Sequence, residues 1–208
     1  MVRQPPSADT RRSLFQRAER WFQRGRAALL ESLPCGQGCT HCCHGPFAIT
    51  LLDQLELRQG LKTLPAQIQD DIHARARRQV ETMEAAFPDL HQSPYLDEWE
   101  ERESDDLVNQ FSDLPCPALS SNGRCLVYAY RPLTCRMMGL PVESHGLVHG
   151  ACEVQTFVPV IRLSEALRQE EDRLAETEAG LIDKQRQITS NDGEEVLLPY
   201  GFLSPSVA

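Results

Sequence analysis

At 208 residues the chain is long enough to bury an apolar core, in one domain or one domain with appendages. Its formal net charge of -9 would repel a phosphate backbone, and no cluster of Lys and Arg interleaved with aromatics offsets that repulsion, so no nucleic-acid partner is expected. The opening Met1-Val2-Arg3-Gln4-Pro5-Pro6-Ser7 has no apolar run to form a signal-peptide core, and no 18-residue apolar stretch follows; a cytoplasmic protein with no membrane partner is expected.

In chain order, Leu14, Ala18, Trp21, Phe22, Leu29 and Leu33 recur at three- and four-residue steps, predicting an amphipathic helix from a cap at Asp9 or Thr10 to near Pro34. A cysteine-rich loop follows, with Gly36, Gly38 and Gly45 to let the backbone curl. Thr50 and Asp53 form a capping-box pattern for a short helix starting at Leu51, Leu52 and Leu55, with Gly60 as its stop. From Pro65, the stripe Ile68, Ile72, Ala76, Val80, Met83 and Phe87 predicts a longer helix that Pro88 ends. Residues 97–106 are acidic, a pattern read as a solvated helix face or linker, with a docking patch for a basic protein partner as the alternative. Pro115, Pro117, Ser120-Ser121-Asn122-Gly123 and Val127-Tyr128-Ala129-Tyr130 predict a compact hairpin turning at Asn122-Gly123. Pro159 precedes a polar helix from about Ser164 to Gly180 with Leu163, Leu167, Leu174 and Leu181 as its seam; Asn191-Asp192-Gly193 then sets off an apolar tail, Val196 to Leu203, suited to dock on the body.

Eight cysteines carry the chemistry. In a reducing compartment thiols stay reduced or bind metal, and eight in 208 residues is too sparse for a disulfide scaffold. Cys35, Cys39, Cys42 and Cys43 form a C-x3-C-x2-C-C cluster, a spacing that turns sulfurs inward on one ion while intervening amides donate to them. Apolar packing of buried cysteines explains such a glycine-containing loop poorly, and a bridge between the neighbours Cys42 and Cys43 would be strained. Cys116, Cys125, Cys135 and Cys152 follow at wider intervals, which match neither zinc-ribbon knuckles nor bacterial ferredoxin runs. His41, His44, His145 and His149 are further candidate ligands or ordinary loop residues. Tyr128, Arg131 and Arg136 lie near Cys125 and Cys135 in sequence, as supports that donate to thiolates or, for the arginines, as substrate contacts.

Four blocks together resemble a known family, the YkgJ-type or CxxCxxCC cysteine-cluster domains described as zinc- or iron-chelating. They are Cys35 with Cys39-Thr40-His41-Cys42-Cys43; Cys116-Pro117-Ala118-Leu119; Gly123-Arg124-Cys125-Leu126-Val127-Tyr128; and Arg131-Pro132-Leu133-Thr134-Cys135-Arg136. Three residues stand between Cys35 and Cys39 where the family's name implies two. The resemblance spans about residues 35–152 and implies chelation by these cysteines without supplying a reaction. All eight, Cys35, Cys39, Cys42, Cys43, Cys116, Cys125, Cys135 and Cys152, are therefore candidate metal ligands, and Cys39, Cys42, Cys125 and Cys135 lie in the most distinctive blocks.

The expected fold is mainly α, a helical domain around a loop-built cysteine metal site with a small β-hairpin near 116–130. Its parts are an N-terminal helix (1–34), a cysteine-cluster metal-binding domain (35–160) and a C-terminal helix with a docking tail (161–208). The expected function is chelation of zinc or iron, the latter as a 4Fe-4S cluster in one version. An iron-sulfur enzyme is a second reading: Cys35, Cys39 and Cys42 have the C-x3-C-x2-C spacing of radical S-adenosylmethionine enzymes, and some flagellin lysine methylases look like members of the same family. Against it stand the missing strand-helix alternation of a barrel and Cys43 in position to close the site. Delivery of metal to a client, with 97–106 as the docking surface, is a third.

Overall fold

The structure is a computed structural model that describes residues 7–27, 38–97, 99–144, 147–150, 160–189 and 193–203. Leu29, Leu33, Pro34, Cys35, Gly36, His145, Cys152, Pro159, Asn191 and Asp192, all named above, and Glu98 of the acidic segment lie outside the described residues. In chain order the helices are α1 (Ala8–Ala27), α2 (Leu51–Leu61), α3 (Ala66–Ala86), α4 (Asp89–Gln92), α5 (Glu101–Gln110), α6 (Leu133–Met137), α7 (Glu165–Thr189) and α8 (Leu198–Gly201). The strands are β1 (Ala48–Thr50), β2 (Val142–Ser144), β3 (Leu147–His149), β4 (Ile161–Arg162) and β5 (Glu195–Leu197). The fold is mainly α, as the periodicities predict. No helix among the described residues is long and apolar enough to cross a membrane.

The chain divides into two compact units, each assembled from two stretches of sequence: Met1–Cys42 with Leu133–Asn191, and Cys43–Pro132 with Asp192–Ala208. In the first unit, α1 starts one residue before the predicted cap region. Ser7 caps the helix: its Oγ accepts the Thr10 backbone N–H (3.1 Å), one of the orphan donors of the first turn, and its carbonyl accepts the Arg11 N–H (3.1 Å) as the first helical bond. Leu14, Phe15, Ala18, Trp21 and Phe22 are buried on one face of α1. That face meets α7, where the Trp21 indole N–H donates to the Leu167 carbonyl at 2.9 Å and Arg24 pairs with Glu170. Helix α7 continues through Gly180 to Thr189, because Leu181 and Ile182 extend the buried seam of Leu163 and Leu174. A small sheet in the order β3-β2-β4 completes this unit, antiparallel between β2 and β3 and parallel between β2 and β4. Gly150 follows β3 at φ +67°, and a Cβ there would sit 2.5 Å from the Leu140 carbonyl oxygen, so only glycine fits.

In the second unit β1 pairs antiparallel with β5, Ile49 opposite Val196. Thr50 ends β1 and caps α2 through the predicted capping box: its Oγ1 accepts the Asp53 N–H (3.4 Å), and Asp53 Oδ2 accepts the Thr50 N–H (3.2 Å). Gly60 is not the stop it was expected to be. It lies inside α2, where a Cβ would come within 2.6 Å of the Tyr130 Cβ, so its hydrogen side chain lets the Tyr128–Tyr130 turn dock against the helix. Helix α3 runs where its stripe predicts, burying Ile72, Ala76, Val80 and Met83. One apolar cluster joins Ile49, Leu57, Ile72, Ala118, Val127 and Phe202; a second joins Val80, Met83, Leu90, Leu107 and Leu197. The tail segment is thus core, with α8 packed on α2 and α3. Its approach is fixed by the Asp97 carboxylate, which accepts the Glu194 N–H at 2.9 Å and the Glu195 N–H at 3.2 Å. Along α5, Leu107 is buried while Glu101, Glu103, Asp105 and Asp106 face solvent.

Candidate metal centre

The first cluster begins at Gly38, whose φ of +101° turns the backbone into Cys39. Thr40 leads into a 3-10 turn, His41–Cys43, that carries Cys42 and Cys43. The unit boundary runs between those two cysteines. From Cys43 onward the chain lies antiparallel to 114–116: His44 bridges Pro115, the Gly45 N–H donates to the Leu114 carbonyl (2.8 Å), and the Cys116 N–H donates to the Cys43 carbonyl (2.8 Å). Backbone pairing therefore brings the last cysteine of the first cluster beside the first of the second.

Cys116 and Cys125 close a tight loop. Leu119 bridges Cys125, the Leu126 N–H donates to the Ala118 carbonyl (2.9 Å), and the Ser120 N–H donates to the Arg124 carbonyl (2.9 Å). Gly123 makes the turn at φ +75° and donates its N–H to the Ser120 carbonyl at 3.0 Å. This is the predicted hairpin, turned at Asn122-Gly123 but held by one bridge; beyond it Tyr128–Tyr130 forms a 3-10 turn rather than a strand. Two side chains of α3 hold the loop from outside: Gln79 Nε2 donates to the Pro115 carbonyl (2.7 Å) and an Arg75 guanidinium N–H donates to the Leu119 carbonyl (3.0 Å).

The Cys116 thiol is pushed up to about 12 from an ordinary 9.0, chiefly by burial, which disfavours the thiolate. The neighbouring Cys125 thiol pushes it the same way, while the amides of Ala118 and Leu119 and the charge of Arg75 pull it down. The opposing effects have a plain meaning. Backbone donors and a cation face this sulfur, the surroundings a thiolate ligand needs, but without a metal the proton stays on.

The six described cysteines, Cys39, Cys42, Cys43, Cys116, Cys125 and Cys135, stand as thiols, each partly buried. Cys43, Cys116 and Cys125 belong to the Cys43–Pro132 unit; Cys39, Cys42 and Cys135 belong to the other, Cys135 on α6. Among the described residues no group of three or more His, Cys, Asp or Glu is gathered to hold a metal ion. In the Cys116–Cys125 loop two thiols and amide donors to sulfur come together, and the loop fits one side of a thiolate site.

Among the remaining candidates, His41 and His44 are exposed. Arg131 stacks its guanidinium 3.7 Å from the centre of the Tyr128 ring, a cation–π contact that fixes both side chains. Arg136, 8% exposed, turns to Glu19 Oε2 at 3.4 Å and lies over the Phe15 ring. Its charge is met by a carboxylate of α1. Arg75 and Gln79 escaped sequence reasoning, since polar residues one turn apart on an amphipathic helix look like a solvated face.

No curated protein and no solved structure matches the chain. The CxxCxxCC family, described as a "putative zinc- or iron-chelating domain", matches residues 34–153, a span that includes all eight cysteines, and the chain belongs to that family.

Proposed function

We propose that this protein chelates zinc or iron through cysteine thiolates and that Cys116 and Cys125 are the anchor of the site. The observation that carries the reading is their loop: two thiols nine positions apart in sequence become neighbours, and the amides of Ala118 and Leu119 face the Cys116 sulfur. Crowded thiolates in a partly buried loop need protons or a cation to neutralise them, and membership of a chelating family favours the cation. The proposed ligand set is the eight cysteines, Cys35, Cys39, Cys42, Cys43, Cys116, Cys125, Cys135 and Cys152, in one site or two. A bound zinc would act as a structural clamp, and an iron-sulfur cluster would add electron transfer. Chelation by thiolates suits a reducing compartment, and the cytoplasm is the proposed location.

Serine replacements test the ligand set. Cys116→Ser and Cys125→Ser are expected to lower bound zinc or iron per chain, measured by elemental analysis, while Cys39→Ser and Cys135→Ser report on the other unit. Full metal content and unchanged melting in Cys116→Ser and Cys125→Ser would remove the anchor from the proposal.

A further inference from the structure

We infer that Arg75 and Gln79 of α3 are positioning residues that fix Cys116 as a metal ligand; the inference rests on the reading that these cysteines chelate metal. Cys116 lies in the segment 115–119, and the carbonyls at the two ends of that segment are both taken by α3. Gln79 Nε2 donates to Pro115 at 2.7 Å and Arg75 donates to Leu119 at 3.0 Å. The two side chains are four residues apart, one helical turn, so they project side by side and match the span of the loop. A second Arg75 N–H donates to the Asp71 carbonyl at 3.3 Å, which ties the guanidinium to its own helix.

Behind them α3 is anchored by Ile72, Ala76 and Val80, all buried, so the two donors project from a rigid element. With the Pro115 and Leu119 carbonyls drawn toward α3, both ends of the segment are held against that helix. Between those ends the N–H groups of Ala118 and Leu119 face the Cys116 sulfur, donors that a thiolate ligand requires. Arg75 adds a positive charge beside a site that accumulates negative charge as thiols ionise, which an uncharged donor would not supply.

The experiment uses the full chain and the variants Arg75→Gln, Gln79→Ala, the double variant and Arg75→Lys, each loaded with cobalt(II) as a spectroscopic stand-in for zinc. Three quantities are read: the thiolate-to-cobalt absorption band, the rate of metal loss to a chromophoric chelator, and the urea midpoint of the metal-free protein. Loss of outer hydrogen bonds at metal sites costs roughly 10- to 100-fold in affinity. The double variant is expected to lose metal faster by about that factor and to show an altered band, with Arg75→Lys recovering part of the loss. The metal-free urea midpoint should barely move. Wild-type release rates in the double variant, from a wild-type chain that itself holds cobalt, would overturn the inference and leave chelation standing. Faster release that merely follows a lower metal-free midpoint would also overturn it, since the residues would then be structural supports. A wild-type chain that takes up no cobalt or zinc would overturn chelation itself.

Discussion

Metal affinity is expected to rise steeply with pH, and Cys116 is expected to carry one full proton of that dependence. Burial holds its thiol up to about 12 in the metal-free protein. At pH 7 the gap to that value is about five units, so exposing the thiolate costs about 7 kcal/mol at 1.36 kcal/mol per unit. An ordinary thiol at 9.0 would cost about 3 kcal/mol. Structural zinc sites supply about 10 to 16 kcal/mol at neutral pH, enough to displace the proton in either case. Each thiol that surrenders a proton on binding makes affinity climb about tenfold per pH unit below its own pKa. Chelator competition at pH 6, 7 and 8 should give a slope of log affinity against pH that is about one unit smaller in Cys116→Ala than in wild type.

The same shift acts on folding in the absence of metal. A folded pKa above the unfolded one means that the native state keeps its proton longer, so stability is full below about pH 9 and falls as pH rises toward 12. By pH 11 the loss reaches about 3 kcal/mol, and Cys116→Ala should lack it in urea unfolding at pH 8 to 11. Equal affinity slopes in the two proteins, together with equal alkaline losses, would refute the assignment of Cys116 as a buried thiol that metal deprotonates.

Three further outcomes follow from the packing and the charges. Gly60→Ala should destabilise by about 1 to 3 kcal/mol through the Tyr130 clash, more than the roughly 1 kcal/mol that alanine gains in helix propensity; urea unfolding reads the balance. Glu195 is raised above its ordinary value of 4.5 by burial, Asp97 and Glu194, so its ionisation opposes folding as pH rises through the folded value; Glu195→Gln should raise the urea midpoint at pH 7 and lose that advantage below pH 4.5, where the carboxyl is protonated in both states. Asp97→Ala removes the acceptor for the Glu194 and Glu195 amides and should lower stability by about 1 kcal/mol, read by thermal melting.

Helices α1 and α3 were legible in the sequence because each presents its apolar residues at three- and four-residue steps, and α2 because Thr50 with Asp53 wrote its start in side-chain chemistry. The strands were not. Two or three residues, as in β2 to β5, are too few to show alternation, and their pairing depends on partners distant in the chain. Gly60 looked like punctuation because a close approach by Tyr130 leaves no local trace. Gly180 looked like the end of α7, although the seam carries on through Leu181 and Ile182.

At the site, Asn122-Gly123 and the flanking cysteines announced the loop that joins Cys116 to Cys125. The cluster from Cys35 to Cys43 read as one loop, yet thiols adjacent in sequence need not serve one compact unit. The chain passes from one unit to the other between Cys42 and Cys43, where the backbone leaves the 3-10 turn to pair with 114–116. Arg75, Gln79 and Asp97 act on backbone carbonyls and amides of distant segments. Backbone partners of that kind carry no residue signature.

The most direct test of thiolate chelation is elemental analysis combined with an absorption spectrum on the full chain purified anaerobically. The expected result is at least one zinc per chain with no visible absorption, or iron with the charge-transfer bands of an iron-sulfur cluster. A metal-free chain that gains neither zinc nor iron on reconstitution, with all its thiols still titratable, would contradict it.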